Sequence, residues 1–225
     1  MELLIHDTPR DVATAASSRV AELITTSGDD FTLGLAGGST PRATYEILRD
    51  QPISWEKVDI WLSDERWVPH DHSRSNGAMA QEALIDHIQA RFHRPTWDEG
   101  LTPADSAALY ETRLRSMLEG RPPDVIMLGI GDDGHTASLF PGTRALEQRD
   151  SWYVANHVPQ LGEDRLTATF PLLWSAGLLL VVAVGTGKAT ALKTTFEGDT
   201  PAGMLDNGDA SVEWHVDREA ASLVR

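Results

Sequence analysis

The sequence predicts an α/β fold, a mostly parallel open sheet with helices on both faces. Three observations carry that expectation. Short apolar runs alternate with longer stretches of helical periodicity, the pattern of strand–helix–strand units. The run Leu178-Leu179-Leu180-Val181-Val182-Ala183-Val184 is apolar at every position, as a central strand covered on both faces must be. Glycine-rich or charged motifs directly follow several runs, where parallel strands pass into the loops that bind ligands in open sheets.

Taken in order, the apolar runs Leu3–Ile5, Phe31–Ala36, Val58–Leu62, Val125–Leu128, Tyr153–Ala155, Leu178–Val184 and Val212–Val216 read as strands. The segments Arg10–Thr26, Pro41–Arg49, Asn76–Gln89, Pro103–Leu118, Lys188–Phe196 and Arg218–Val224 read as helices. The stretch Arg91–Pro103, with two prolines, is irregular but too short to divide the chain, so a single domain over residues 1–225 is expected.

Composition narrows the function classes. Of 225 residues, 41% are hydrophobic and 24% charged, ordinary for a globular protein. With 34 acidic against 19 basic residues the net charge is −15, which disfavours nucleic acid and anionic membranes as partners. There is no cysteine, which excludes disulfides, thiolate nucleophiles and thiolate-held metals. The N-terminus lacks the basic and long apolar regions of a secretory signal, and the run Gly177–Gly185 is too short to span a bilayer. A cytoplasmic enzyme is the expectation.

Four motifs fall at predicted strand ends. Gly37-Gly38-Ser39-Thr40-Pro41-Arg42 offers close backbone approach, hydroxyls for an N-cap at Ser39 or Thr40, and a proline suited to a helix start. Such a helix N-terminus suits one phosphate, although a plain capped turn reads the same way. Ser63-Asp64-Glu65-Arg66-Trp67, continuing to Arg74-Ser75-Asn76, sets an acid pair against two arginines. Either arginine can hold an anion bidentately, or the group is a solvated ion-pair cluster. The neighbouring His70-Asp71-His72 lacks a clear third metal ligand and reads as an exposed loop.

Gly129-Ile130-Gly131-Asp132-Asp133-Gly134-His135-Thr136 has the glycine spacing of a dinucleotide fingerprint. Its two carboxylates, however, stand where a pyrophosphate's charge would lie. Asp133, two residues before His135, suits orienting the ring for proton transfer. Last, Gly185-Thr186-Gly187-Lys188-Ala189 follows the central strand but is no Walker motif, because Ala189 stands where a hydroxyl belongs. Lys188 opens a helix, where a cation is disfavoured by the dipole unless an anion meets it, and the chain has only three lysines. An ordinary exposed lysine is the alternative. Together the motifs describe an enzyme acting on a small phosphorylated metabolite with a histidine as acid–base group and no metal.

Those same motifs, with Asp133–Pro141, Arg165-Leu166-Thr167, Pro201-Ala202, Val212-Glu213-Trp214 and Asp217–Ala221, resemble the 6-phosphogluconolactonase family along nearly the whole chain. The resemblance implies a fold shared with glucosamine-6-phosphate deaminases and ribose-5-phosphate isomerases. It implies hydrolysis of 6-phospho-D-glucono-1,5-lactone in the oxidative pentose phosphate pathway, with a small phosphorylated sugar lactone as the ligand and neither metal nor organic cofactor. By that likeness His135 is the base with Asp133 beside it. Gly38, Ser39, Thr40, Arg165 and Lys188 form the phosphate environment, and Arg66 and Arg74 line the site. The oligomeric state stays open, a monomer being compatible. Two rivals remain: an isomerase or deaminase on the same fold, whose loop typically runs D-G-H-I-A-F-N-E-P, and a sugar-phosphate-sensing domain without catalysis.

Overall fold

The computed structural model describes residues 1–28, 30–198 and 200–224. Its strands are β1 (Glu2–His6), β2 (Phe31–Leu35), β3 (Val58–Leu62), β4 (Asp64–Arg66), β5 (Arg91–His93), β6 (Val125–Leu128), β7 (Tyr153–Val158), β8 (Glu163–Ala168), β9 (Leu178–Ala183) and β10 (Ser211–Asp217). Its α-helices are α1 (Pro9–Ser27), α2 (Ser39–Leu48), α3 (Asn76–Ala83), α4 (Pro103–Leu118), α5 (Phe170–Ser175) and α6 (Ala189–Phe196).

Seven strands form one sheet in the order β1-β10-β9-β6-β2-β3-β5, and every pairing in it is parallel. The central strands are apolar throughout because each feeds two cores. Met127, Leu180 and Val182 point into a layer shared with Val12, Val20, Tyr45 and Leu48 of α1 and α2. Their alternates Ile126, Leu128, Leu179 and Val181 meet Tyr110, Leu114, Phe170 and Leu192 of α4, α5 and α6 on the other face. All these side chains are essentially inaccessible to solvent. A carboxylate fixes the register at the sheet's start: Thr32 donates through both its amide (2.9 Å) and its hydroxyl (2.7 Å) to Asp124.

A second, antiparallel sheet, β4-β8-β7, was not expected from the sequence. Its strands β4 and β8 open on Asp64-Glu65-Arg66 and Glu163-Asp164-Arg165, charged residues that give no apolar signal. Non-local pairing overrides that pattern, placing Arg66 directly across from Arg165. The short strand β5 was also unpredicted, and its Arg91 is anchored by two guanidinium hydrogen bonds to Asp59 of β3, at 2.8 and 2.6 Å. The expected helix Asn76–Gln89 stops at Ala83, where Leu84 leaves helical dihedrals (φ −134°) and is fully buried before a single 3₁₀ turn. The expected helix Arg218–Val224 is likewise only a 3₁₀ turn over Ala220–Leu223, started by Asp217 accepting from the Ala220 amide at 2.8 Å.

Candidate active site

The parallel order changes direction between β2 and β6, and the loops after β2, β3, β6 and β9 open onto one cleft. The cleft holds about 220 Å³ and is lined by Gly37, Gly38, Asp64, Arg66, Gly131, His135, Arg165 and Lys188 among others. Larger depressions lie elsewhere. One, of about 410 Å³, sits at the opposite, strand-start end of the sheet, where Arg19 already pairs with Glu213.

The turn after β2 is held from below. The Tyr45 hydroxyl donates to the Ala36 carbonyl and accepts from the Ala36 amide, fixing the last residue before the glycines. Gly37 is obligatory by contact, since a Cβ there would lie 1.9 Å from Asn76 Oδ1, and Gly38 by conformation, at φ +109°. Gly38 itself is the N-cap of α2. The expected hydroxyl cap is therefore corrected: Ser39 and Thr40 are the first helical residues, no side chain caps the helix, and Pro41 is third. That leaves the Ser39 and Thr40 amides among the unsatisfied donors of the first turn. Ser39 is exposed and Thr40 half-buried, and neither is among the residues lining the cleft.

The acid–arginine motif proves to be two structures in one. Asp64 and Glu65 are only 5% and 7% exposed, which rules out the alternative of a solvated cluster for the two acids. Glu65 turns away from the cleft to cap α3, accepting from the amides of Arg66 (2.8 Å), Asn76 (2.6 Å) and Gly77 (2.7 Å) and from the Ser75 hydroxyl (2.9 Å). Burial pushes its carboxyl above the usual range despite those donors. Asp64 faces the cleft, and Arg66 and Arg165 stand side by side across the β4–β8 ladder. The Nε atoms of both arginines are buried without a hydrogen-bond partner. Burial, and then the neighbouring Arg66, depress the Arg165 guanidinium below its ordinary value. Two guanidiniums held together in this way favour an anion between them. Arg74 does not line the cleft: it pairs with Glu163 on the rim, and its carbonyl accepts from Arg66. His70 and His72 are engaged locally, His70 Nε2 lying 3.0 Å from the Pro95 carbonyl and His72 accepting from the Arg74 amide. His70 is half-buried, not exposed as expected.

The loop after β6 closes on itself through Gly131 N–H donating to the His135 carbonyl and Gly134 N–H to the Gly131 carbonyl. His135 Nδ1 lies 2.6 Å from Asp133 Oδ1, which also accepts from the His135 amide at 3.1 Å. A carboxylate only accepts, so Nδ1 carries the proton and Nε2 of the neutral ring is left with its lone pair. The ring stacks on Phe140 at 3.8 Å between centroids. Beyond it, Ala137 is held at φ +47°, an uncommon conformation for a residue with a Cβ. Lys188 precedes α6 as its N-cap, and its ammonium lies 2.5 Å from Asp132 Oδ1, so the cation at the helix start has met a protein carboxylate. That contact holds the Asp132 carboxyl below the usual range.

Of the residues singled out in the sequence, Gly38, Arg66, His135, Arg165 and Lys188 meet in the cleft, and Asp133 stands behind His135. Asp64 and Asn76 carried no such expectation. Nothing in their spacing signalled that one would face the cleft and the other brace its glycine turn.

Residues 7–214 match the family described as glucosamine-6-phosphate isomerases/6-phosphogluconolactonase. The chain belongs to this family. Within it, a 6-phosphogluconolactonase from Nostoc sp. is 38% identical over 199 residues, 81% of each chain. One from Synechocystis sp. is 35% identical over 222 residues, 93% of this chain and 90% of that one. Among solved structures, the 6-phosphogluconolactonase of Trypanosoma brucei superposes with a TM-score of 0.88 at 28% identity, covering 100% of this chain and 98% of the other. A monomeric glucosamine-6-phosphate deaminase described as belonging to the NagB superfamily superposes with a TM-score of 0.84 at 26% identity, covering 99% and 100%. The fold is thus common to members with different chemistry, and the site has to separate them.

Proposed function

We propose that this chain is a 6-phosphogluconolactonase, a single-domain hydrolase that opens 6-phospho-D-glucono-1,5-lactone to 6-phospho-D-gluconate in the oxidative pentose phosphate pathway. The observation that carries the reading is the His135–Asp133 pair at 2.6 Å in a cleft that also holds Arg66, Arg165 and Lys188. The named relatives act in the same sense. The sugar phosphate binds among Gly38, Ser39, Thr40, Arg165 and Lys188, with Arg66 completing the positive wall and Arg74, paired with Glu163 on the rim, bracing Arg66 through its carbonyl. Nε2 of His135 takes a proton from water as the water attacks the lactone carbonyl carbon. Arg66 or amides of the glycine loop meet the oxyanion. The tetrahedral intermediate then breaks its bond to the ring oxygen, which leaves with the proton from the imidazolium. Asp133 keeps the ring in the required tautomer throughout. The sequence routes its protons through His135 and water and calls on no metal or organic cofactor. No described helix is long and apolar enough to cross a membrane, and we place the enzyme in the cytoplasm.

The deaminase reading is disfavoured by one residue. In the D-G-H-I-A-F-N-E-P pattern the glutamate falls at the position of Phe140, which here stacks on the catalytic imidazole. Lactone disappearance, followed with freshly generated substrate against its spontaneous hydrolysis, tests the proposal. His135→Ala should lower the enzymatic rate by about 10²–10⁴-fold. Near wild-type turnover in that variant, or ammonia release from glucosamine 6-phosphate by the parent, would sink it.

A further inference from the structure

The loop that carries His135 doubles back on itself. Leu139 N–H donates to the Thr136 carbonyl at 2.9 Å, and the two residues face each other as an isolated antiparallel bridge. Ala137 and Ser138 form the tip of this turn, and the chain on its two sides brings His135 and Phe140 into their stacked contact. Ala137, the second residue of the turn, stands at φ +47° and lines the cleft, while Ser138 after it is not at positive φ. Positive φ at the second residue alone is the pattern of a type II′ turn, which takes glycine there. Alanine adopts that conformation at a disadvantage of about tenfold, so contacts from outside the turn have to hold it.

Ser138 supplies those contacts. It is 1% exposed, and each of its polar groups is taken by a different strand of the antiparallel sheet. The hydroxyl donates to Asp64 Oδ2 of β4 at 2.8 Å and the amide to Thr167 Oγ1 of β8 at 3.1 Å, while the carbonyl accepts from Asn156 Nδ2 of β7 at 2.9 Å. All three partners are themselves buried. β4 and β8 also carry Arg66 and Arg165 into the cleft. The tip of the histidine loop is therefore pinned to the sheet that bears the guanidiniums, although the loop itself springs from β6 in the parallel sheet. We propose that Ser138 is a positioning residue: its clamp to three strands holds Ala137 in the left-handed turn and so sets His135 against Phe140 and in place relative to the two arginines. The geometry of the turn stands by itself, and its effect on turnover rests on the lactonase reading.

Two substitutions loosen the clamp from different sides. Ser138→Ala removes the hydroxyl, and Thr167→Val, close to isosteric, removes the acceptor of the Ser138 amide and carries the test should Ser138→Ala fail to fold. Either should lower kcat about tenfold, the bias alanine feels at positive φ, and leave KM within about twofold, because His135 is displaced and the guanidiniums are not. Glycine is at ease at positive φ, so adding Ala137→Gly to either variant should restore kcat to within about threefold of Ala137→Gly alone. A residue that only stabilised the fold would show no such rescue. Proton NMR reads the turn without turnover. The His135 Cε1–H signal, assigned by its loss in His135→Ala, feels the ring current of the stacked Phe140. It should shift downfield in Ser138→Ala and return in the double variant. Unchanged kcat in both single variants, a loss that Ala137→Gly does not rescue, or a His135 signal that stays in place would overturn the proposal. Absence of lactone hydrolysis by the parent would instead overturn the functional reading, and the His135 signal would still decide whether Ser138 sets the turn.

Discussion

His135 is held by neighbours that leave its ring no other place. Phe140 covers one side of the imidazole, and Gly131 stands so close that a Cβ there would fall 2.1 Å from ring atoms. Gly131 is not at positive φ, so alanine at this site meets steric conflict without backbone strain. Gly131→Ala should therefore push the ring off Asp133 and lower lactonase turnover by roughly 10²-fold, the penalty for an ångström-scale misplacement. The midpoint of thermal unfolding should move little, because the loop lies at the surface end of the sheet. Paired kinetics and circular dichroism melts decide between this and a folding defect. Asp133 and His135 were legible in the sequence because the pair is local, two residues apart inside one turn. Asp64 was not: its role depends on Ser138, 74 positions away, and its burial is a property of the folded sheet.

Elements were legible to the extent that they buried apolar surface. The central strands β6 and β9 announce themselves by unbroken hydrophobic runs, and α4 by its proline start and helical spacing. β4 is built of charged residues and β8 opens on them, and both exist because β8 pairs with β4 on one side and with β7 on the other. The helix α3 shows what such charge can do. Glu65 gives it an N-terminal anchor by accepting from two amides, of Asn76 and Gly77, and from the Ser75 hydroxyl, and α3 in turn positions Asn76 against Gly37. Glu65→Gln keeps the shape but faces an amide NH₂ toward groups that donate, leaving at least one buried donor without an acceptor. The expected cost is about 1–3 kcal/mol of folding stability, read as a lower urea midpoint at unchanged slope. Part of the loss should also appear as weaker phosphate-ligand binding, since the glycine turn leans on Asn76. A variant as stable as the parent would show that Glu65 does not anchor α3.

For the molecule as a whole, two histidines shifted by burial give stability a pH dependence that sets in before the ion-paired carboxylates titrate. His215 is 3% exposed on β10, between β1 and β9. It faces His6, whose ring is stacked on it at 5.3 Å with the closest nitrogens 3.2 Å apart, together with Glu213 and Arg19. Burial is the main reason its pKa falls below the ordinary histidine value, with His6 and Arg19 acting in the same direction and Glu213 opposing them. His70 shifts the same way, again mainly through burial. With a folded-state pKa below the unfolded value of about 6.5, the unfolded chain binds the proton more readily, so protonation favours unfolding. The stability present above pH 6.5 is therefore lost progressively as the pH falls through the folded value. Carboxylates such as Asp132 and Glu163, whose partners Lys188 and Arg74 hold them low, protonate only in more acidic solution. Thermal melts between pH 8 and 5 should show a falling midpoint that begins near pH 6.5, and His215→Gln, which cannot charge, should flatten that decline. A parallel decline in parent and variant would place the acid sensitivity elsewhere in the fold.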